Sequence, residues 1–234
     1  LQSSTAIYVN LQAQYHKLQC STKREDIPHH TKLIVKEKIM KKIIVATIIA
    51  VFAMTTAALA TNWEIDTAHS SANFAIQHMA ISKVKGSFEK VSGKIEFHES
   101  GSNPFSLEIK IDPASVDTGV TKRDDHLRSA DFFDVKQFQS INFISKKVVP
   151  TENGEYQVEG TLTMHGVSKD ITIDLVGLGL EVKDPWGNLR KGAQVTAAIN
   201  RKDFGIVYNS VLESGNLLIG ETVDVNVDLE FIKK

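Results

Sequence analysis

Val223-Asp224-Val225-Asn226-Val227-Asp228-Leu229-Glu230-Phe231 alternates apolar and polar side chains without a break. A strand turns successive side chains to opposite faces, so one face of this stretch carries Val223, Val225, Val227, Leu229 and Phe231 and the other only polar residues. The stretch therefore reads as a half-buried strand. The same two-residue period recurs upstream, at Trp63 and Ile65; at Ala72, Phe74 and Ile76; at Ile95 and Phe97; and at Leu107, Ile109 and Ile111. It continues through Ile141 and Phe143, Tyr156, Val158 and Leu162, Ile171, Ile173 and Leu175, and Val195, Ala197 and Ile199. Turn signals separate these runs. Asn153-Gly154 predicts a type I′ hairpin, and Asp184-Pro185-Trp186-Gly187-Asn188 and Ser214-Gly215-Asn216 mark two more turns. Neighbours in sequence are expected to be antiparallel neighbours in space. Eight or nine such strands form a sandwich or a closed barrel, which periodicity does not separate. Gly177-Leu178-Gly179 is expected to mark a bend or close packing inside an apolar strand.

One helical signal interrupts the pattern. Thr121 followed by Asp124 resembles a capping box, and Leu127 and Ala130 fall three residues apart, predicting a short helix over Thr121 to Ala130 beside a barrel rim. Ser129 to Phe133 would then turn the chain so that Phe132 and Phe133 point inward as a lid or plug.

The first sixty residues belong to a different part of the problem. Met40-Lys41-Lys42 is a basic n-region, Ile43 to Phe52 an apolar h-region, and Ala58-Leu59-Ala60 a small-x-small cleavage site. Residues 40–60 are thus expected to be a signal peptide cleaved after Ala60, residues 1–39 an upstream extension outside the mature protein, and residues 61–234 the folded domain, periplasmic or secreted. An apolar run of ten residues is too short to span a bilayer, which takes about 20, so stable membrane insertion is not expected. Residues 61–234 hold 19 basic and 25 acidic side chains, a net charge of −6. That surface repels nucleic-acid phosphates and anionic head groups, and no nucleic-acid partner is expected. The single cysteine, Cys20, lies in the extension, so the domain has no disulfide and must be held by its core.

Residues with chemical capacity are scattered. The five histidines of the domain, His69, His78, His98, His126 and His165, show no H-E-x-x-H spacing for a metal. His69-Ser70 with Asp66, and His126 with Asp124 or Asp125, contain the residue types of a nucleophile-base-carboxylate set, yet no G-x-S-x-G elbow accompanies them. No P-loop, dinucleotide fingerprint or EF-hand pattern is present. Arg123, Arg128 and Arg201 can each pair with a nearby carboxylate or reach a ligand head group, the ion pair being the simpler reading. Residues 122–134 hold three basic side chains against four acids, which argues against a preformed anion trap.

Four separated motifs carry a resemblance: Ile65-Asp66-Thr67-Ala68-His69-Ser70, the run Lys122 to Asp134, Gly160-Thr161-Leu162-Thr163-Met164-His165-Gly166-Val167-Ser168-Lys169, and Asn200-Arg201-Lys202-Asp203-Phe204-Gly205. In this order they resemble the signature of the YceI-like family of bacterial secreted proteins, over Trp63 to Phe231. Gln139 and Asp170 stand where prolines are usual in that family. The resemblance implies an all-β, antiparallel eight-stranded lipocalin-like barrel with one short helix in the Thr121–Phe133 region. It also implies a hydrophobic small-molecule ligand, a polyisoprenoid lipid or isoprenoid quinone bound non-covalently for transport or storage, with no catalytic residues, no metal and a homodimer as one assembly open to it. Eight strands make the smallest barrel with room for one ligand.

On that basis Phe74, Ile76, Phe88, Phe97, Ile109, Ile111, Phe132, Phe133, Phe143 and Leu162 are expected to line an apolar tunnel, and Arg123, His126 and Arg201 to meet the head group. A chain of roughly 40 carbons at ~0.8 kcal/mol per CH₂ would gain about 30 kcal/mol gross, beyond the ~18 to 21 kcal/mol at which affinities saturate. Ordering the chain must cancel much of it. Two alternatives stand beside the carrier: a metal- or histidine-dependent enzyme using His69, His126 and His165, and a stress-related interaction protein whose barrel is filled.

Overall fold

The computed structural model describes residues 61–99, 101–213, 215 and 217–234. The expected extension (1–39) and signal peptide (40–60) lie outside the described residues. In chain order the strands are β1 (Thr61–Ile65), β2 (Ser71–His78), β3 (Ser82–Phe88), β4 (Val91–Phe97), β5 (Phe105–Ile111), β6 (Val116–Asp117), β7 (Ile141–Pro150), β8 (Tyr156–Met164), β9 (Val167–Val176), β10 (Val182–Lys183), β11 (Leu189–Asn200) and β12 (Ile219–Lys233). Among the described residues there is one α-helix, α1 (Thr121–Arg128), which precedes β7.

These strands make eight staves. β1 and β2 pair with the same edge of β12, with Trp63 opposite Lys233 and Ala72 opposite Val227, so they form one stave broken by the loop at residues 66–70. β4 pairs with β1 and β3 with β2, and β5 and β6 continue outward on β4 and β3. β7, β8 and β9 follow as an antiparallel meander, β11 joins β9, and β11 closes the ring on β12 from Arg190↔Ile232 to Asn200↔Thr222. The result is an all-β, eight-stranded antiparallel barrel with one short helix. Closure of β11 on β12 removes the free edge of both, while β6, paired only with β3 at Ser87 and Phe88, leaves a gap beside β7. The ring's weakest seam is β9 to β11, paired only from Asp174–Val176 to Gln194–Thr196.

Local details depart from the sequence expectations in three places. The type I′ geometry falls at His165-Gly166 between β8 and β9, where both residues have positive φ (51° and 74°) and Met164 pairs with Val167. Asn153-Gly154 instead belongs to a 3₁₀ turn, Glu152–Gly154, within a longer connection between Pro150 and Tyr156. The Thr121/Asp124 capping box does not form. The helix is capped by Val120 without a side-chain bond, and Asp124 accepts from the Thr118 N–H and hydroxyl, tying α1 to the chain just after β6. Gly177 sits just past the end of β9 with a φ of +71° and no atom close enough to be packing against it, so of the two alternatives it is a bend, placed after the strand rather than inside it.

The interior divides along the barrel axis. At the end where β1, β8 and β11 begin, Trp63, Ile95, Phe105, Leu107, Val158, Leu175 and Phe231 are buried against one another. Phe105 lies 6.0 Å from Phe97 and 5.0 Å from Tyr156, and Trp63 lies 6.4 Å from Phe97, all edge-to-face. This aromatic floor fills the barrel. Toward the other end the same strands carry aliphatic residues on inward faces that do not meet across the barrel. At Gly160 an added Cβ would lie 2.5 Å from the Phe143 ring, so only glycine lets that ring lie flat along the wall there.

Candidate functional site

Above the floor is a cavity of about 590 Å³, within the roughly 300–1,000 Å³ usual for small-molecule pockets. Its walls are inward side chains of β2, β3, β5, β7, β8, β9, β11 and β12, and its roof is α1 with the segments around residues 132–133 and 206–208. Of the ten residues expected to form a tunnel, Phe74, Ile76, Phe88, Ile109, Ile111, Phe132, Phe133, Phe143 and Leu162 lie on this cavity. Phe97 does not. It packs into the floor between Trp63 and Phe105, because β4 runs down toward the filled end. Ile173, Val195, Val225 and Val227 also line the cavity, on strands already legible from their alternation. Ile206, Tyr208 and Leu218 complete it from a non-periodic loop, where nothing in the sequence marked them.

The mouth is aromatic. His126, Phe132 and Tyr208 lie edge to face or tilted at 4.9 to 5.1 Å from one another, bringing α1, the segment after it and the loop after β11 together. Deeper in, Phe133 leans on Phe88 at 5.4 Å and Phe88 on Phe74 at 5.5 Å. Phe132 and Phe133 thus occupy the inward, lid-like positions.

Arg123, His126 and Arg201 all border the cavity. Among the described residues neither Arg123 nor Arg201 makes the ion pair expected for it. Arg123 donates from Nε to the Thr118 hydroxyl (2.7 Å) and from Nη2 to the Thr118 carbonyl (2.9 Å). Arg201 donates from Nε to the Gly220 carbonyl (2.8 Å) and from Nη1 to the Ile206 carbonyl (2.7 Å). Three of the four acids of the 122–134 run are engaged elsewhere: Asp124 with Thr118, Asp125 with Arg128, and Asp131 with His126. Arg201 begins a 3₁₀ turn, Arg201–Phe204, whose start is fixed by the Asn200 side chain accepting from the Lys202 N–H, and this turn places the guanidinium under the loop after β11.

The histidines are held apart. His165 stacks on Phe138 at 4.7 Å with Nδ1 3.2 Å from the Phe204 carbonyl, linking two of the motifs. His126 Nε2 lies 2.8 Å from Asp131. His69 Nδ1 lies 2.8 Å from Asp66, beside the floor. No two of them share a hydrogen-bond partner.

Asp66, His69 and Glu230 do bring ligand-type atoms within 4.8 Å of one another. Arg190 already occupies that space, donating to Asp66 (2.6 Å), Asp184 (2.8 Å) and Glu230. The cluster is a latch, in which one guanidinium ties the β10–β11 turn, the loop after β1 and the end of β12 together. The Ser70 hydroxyl adds a bond by accepting from the Glu230 N–H. Arg190, then His69 and the Ala68 N–H, hold the Asp66 carboxyl down at about 2. Burial would raise Asp184, yet Arg190, Asn188 and Trp186 keep it well below the usual carboxylate range. Because the folded value of Asp66 lies below its unfolded one, its stabilisation is complete above about pH 4 and is lost as pH falls toward 2. The Asp66→Asn variant is therefore expected to be less stable than the wild type at pH 7, with the gap shrinking between pH 4 and 2. Urea unfolding across that range checks it, and a gap independent of pH would dismiss the assignment.

No helix among the described residues is long and apolar enough to cross a membrane. The YceI-like domain family matches residues 63–231. A UPF0312 protein of Vibrio cholerae is 38% identical over 172 residues, covering 71% of this chain and 89% of that protein. The solved Campylobacter jejuni YceI protein is 32% identical with a TM-score of 0.56, covering 68% of this chain and 90% of its own. A polyisoprenoid binding domain from Saccharophagus degradans, implicated in plant cell wall breakdown, shares the fold at 20% identity and a TM-score of 0.54, covering 74% and 98%.

Proposed function

The chain belongs to the YceI-like family, and from that premise we propose that it is an exported carrier that encloses one long apolar molecule, an isoprenoid lipid or quinone, and shelters it from water. The observation that carries this reading is the hollow half of the barrel, about 590 Å³ walled by aliphatic and aromatic side chains above a filled floor. The polyisoprenoid binding named for the Saccharophagus degradans domain supports the ligand class. Export is supported by the basic, apolar and small-residue signature of residues 40–60, after which β1 begins at Thr61.

The volume sets the scale of the enclosed part. At roughly 30 Å³ per non-hydrogen atom, the share of a water molecule in the liquid, the cavity takes about twenty carbons. At ~0.8 kcal/mol per CH₂ that is about 16 kcal/mol gross, inside the ceiling of ~18 to 21 kcal/mol. A longer tail would run out through the mouth between α1 and Tyr208. No covalent step is part of the proposal. The test is lipid extraction and mass spectrometry of the purified protein, followed by exchange with the C20 prenol geranylgeraniol. A co-purified long-chain isoprenoid near one per chain is expected. Preparations that are always empty and take up no prenol would reject the carrier.

A further inference from the structure

Every side chain of fixed charge on the cavity wall is cationic. Arg123 and Arg201 border it together with His78 and His126, and among the described residues no aspartate or glutamate does. This holds in a domain whose net charge is −6, so chance placement would favour the opposite sign. Neither arginine has a carboxylate within ion-pairing distance among the described residues. Asp131 faces His126 from the solvent side of the mouth, and Glu221, beside Arg201 in the fold, is taken by Lys202 at 2.5 Å.

Arg201 is the sharper case. It is 4% exposed, its Nε and Nη1 donate to carbonyls, and its Nη2 is buried with no hydrogen-bond partner. A guanidinium stays protonated in proteins, and a buried charge is ordinarily paired. Here two neutral carbonyls leave one N–H unused beside an apolar hollow, and the carboxylate whose charge reaches the guanidinium, Glu221, is already bonded to Lys202 and makes no direct bond to Arg201. A neutral head group fills the hollow but leaves the guanidinium charge as it stands. An anionic one compensates it in a low-dielectric setting where charge-assisted bonds are strongest.

We infer that the occupant carries an anionic head, a carboxylate or a phosphate, seated at the Arg201–Arg123 side of the cavity with its chain running toward the floor. The inference rests on the carrier reading and narrows its ligand from neutral quinones to acidic amphiphiles. Native mass spectrometry of the purified protein, stripped of lipid and offered equimolar geranylgeraniol, geranylgeranyl monophosphate and the C20 phytanic acid, tests it. At least one anionic probe is expected to outcompete the alcohol tenfold or more. Preference for the phosphate would point to a prenyl phosphate, and preference for the acid to a fatty-acid-like ligand. Arg201→Met and Arg123→Met are each expected to bring the ratio toward one. The second variant covers the case in which loss of the Gly220 and Ile206 bonds unfolds the first, and the wild-type ratio depends on neither. An alcohol bound as well as both anions overturns the head-group assignment while leaving the carrier intact. Failure of all three probes to bind overturns the carrier itself.

Discussion

Replacing Ile173 with tryptophan is expected to cut retention of a long-chain ligand at least a hundredfold while changing folding stability by no more than about 1 kcal/mol. Ile173 sits on β9 with its side chain on the cavity wall and is 4% exposed. Forcing extra volume into a close-packed core costs about 1–3 kcal/mol, because neighbours must leave their rotamers. An indole at position 173 has empty space ahead of it, so its added atoms gain contacts and displace none. They also occupy the deep end of the path a chain must follow from Tyr208, since Ile173 pairs with Val158 at the edge of the floor. Leu107 supplies the contrast, since it is buried at the filled end and borders no part of the cavity. Leu107→Trp is expected to be clearly destabilising. Denaturant unfolding and ligand retention measured on both variants separate the outcomes. If Ile173→Trp destabilises as much as Leu107→Trp, the space is not hollow. If it keeps its full ligand load, the cavity is not where the ligand sits.

Much of this architecture is legible in the residues. The unbroken alternation from Val223 to Phe231 fixes both the strand and its inward face, and β12 pairs with β1, β2 and β11 along that length. Phe97 shows where such reasoning stops. It has the same aromatic character as Phe88 and was expected on the same tunnel wall, yet one faces the floor and the other the cavity. The difference lies in position along the barrel axis, which depends on register across strands distant in sequence and leaves no trace in local alternation. Type I′ geometry at His165-Gly166 was hidden for a related reason. His165 accepts a positive φ because its ring is held by Phe138 and the Phe204 carbonyl, contacts made by segments far away in the chain.

The arginines make the same point for the site. Counting charges over residues 122–134 gave near balance, and balance suggested neutralised cations. Three of the four acids, however, are spent on Thr118, Arg128 and His126, and Arg123 faces the cavity without an ion pair among the described residues. Local charge density sets what pairings are available. Which are made depends on the turn after β6 and the helix orientation, neither of which the composition records.

The hollow half has a consequence for where stability resides. With few atoms to touch across the cavity, the upper walls lose dispersion contacts, and the floor must carry a larger share of the folding free energy. Phe105→Ala is accordingly expected to destabilise the protein by about 3–5 kcal/mol, roughly a fifth or more of the ~5–15 kcal/mol typical of a domain. Phe105 is 1% exposed and touches Phe97 and Tyr156 edge to face, so its removal leaves a void with rigid walls that cannot collapse. Phe143→Ala deletes the same ring from a position bordering the cavity. One side of that ring already faces empty space, so its loss is expected to cost roughly half as much in the ligand-free protein. Urea unfolding of the two variants, each stripped of lipid, measures the ratio. Equal losses would mean that Phe143 is packed on all sides, and the division into a filled floor and an open chamber would fall.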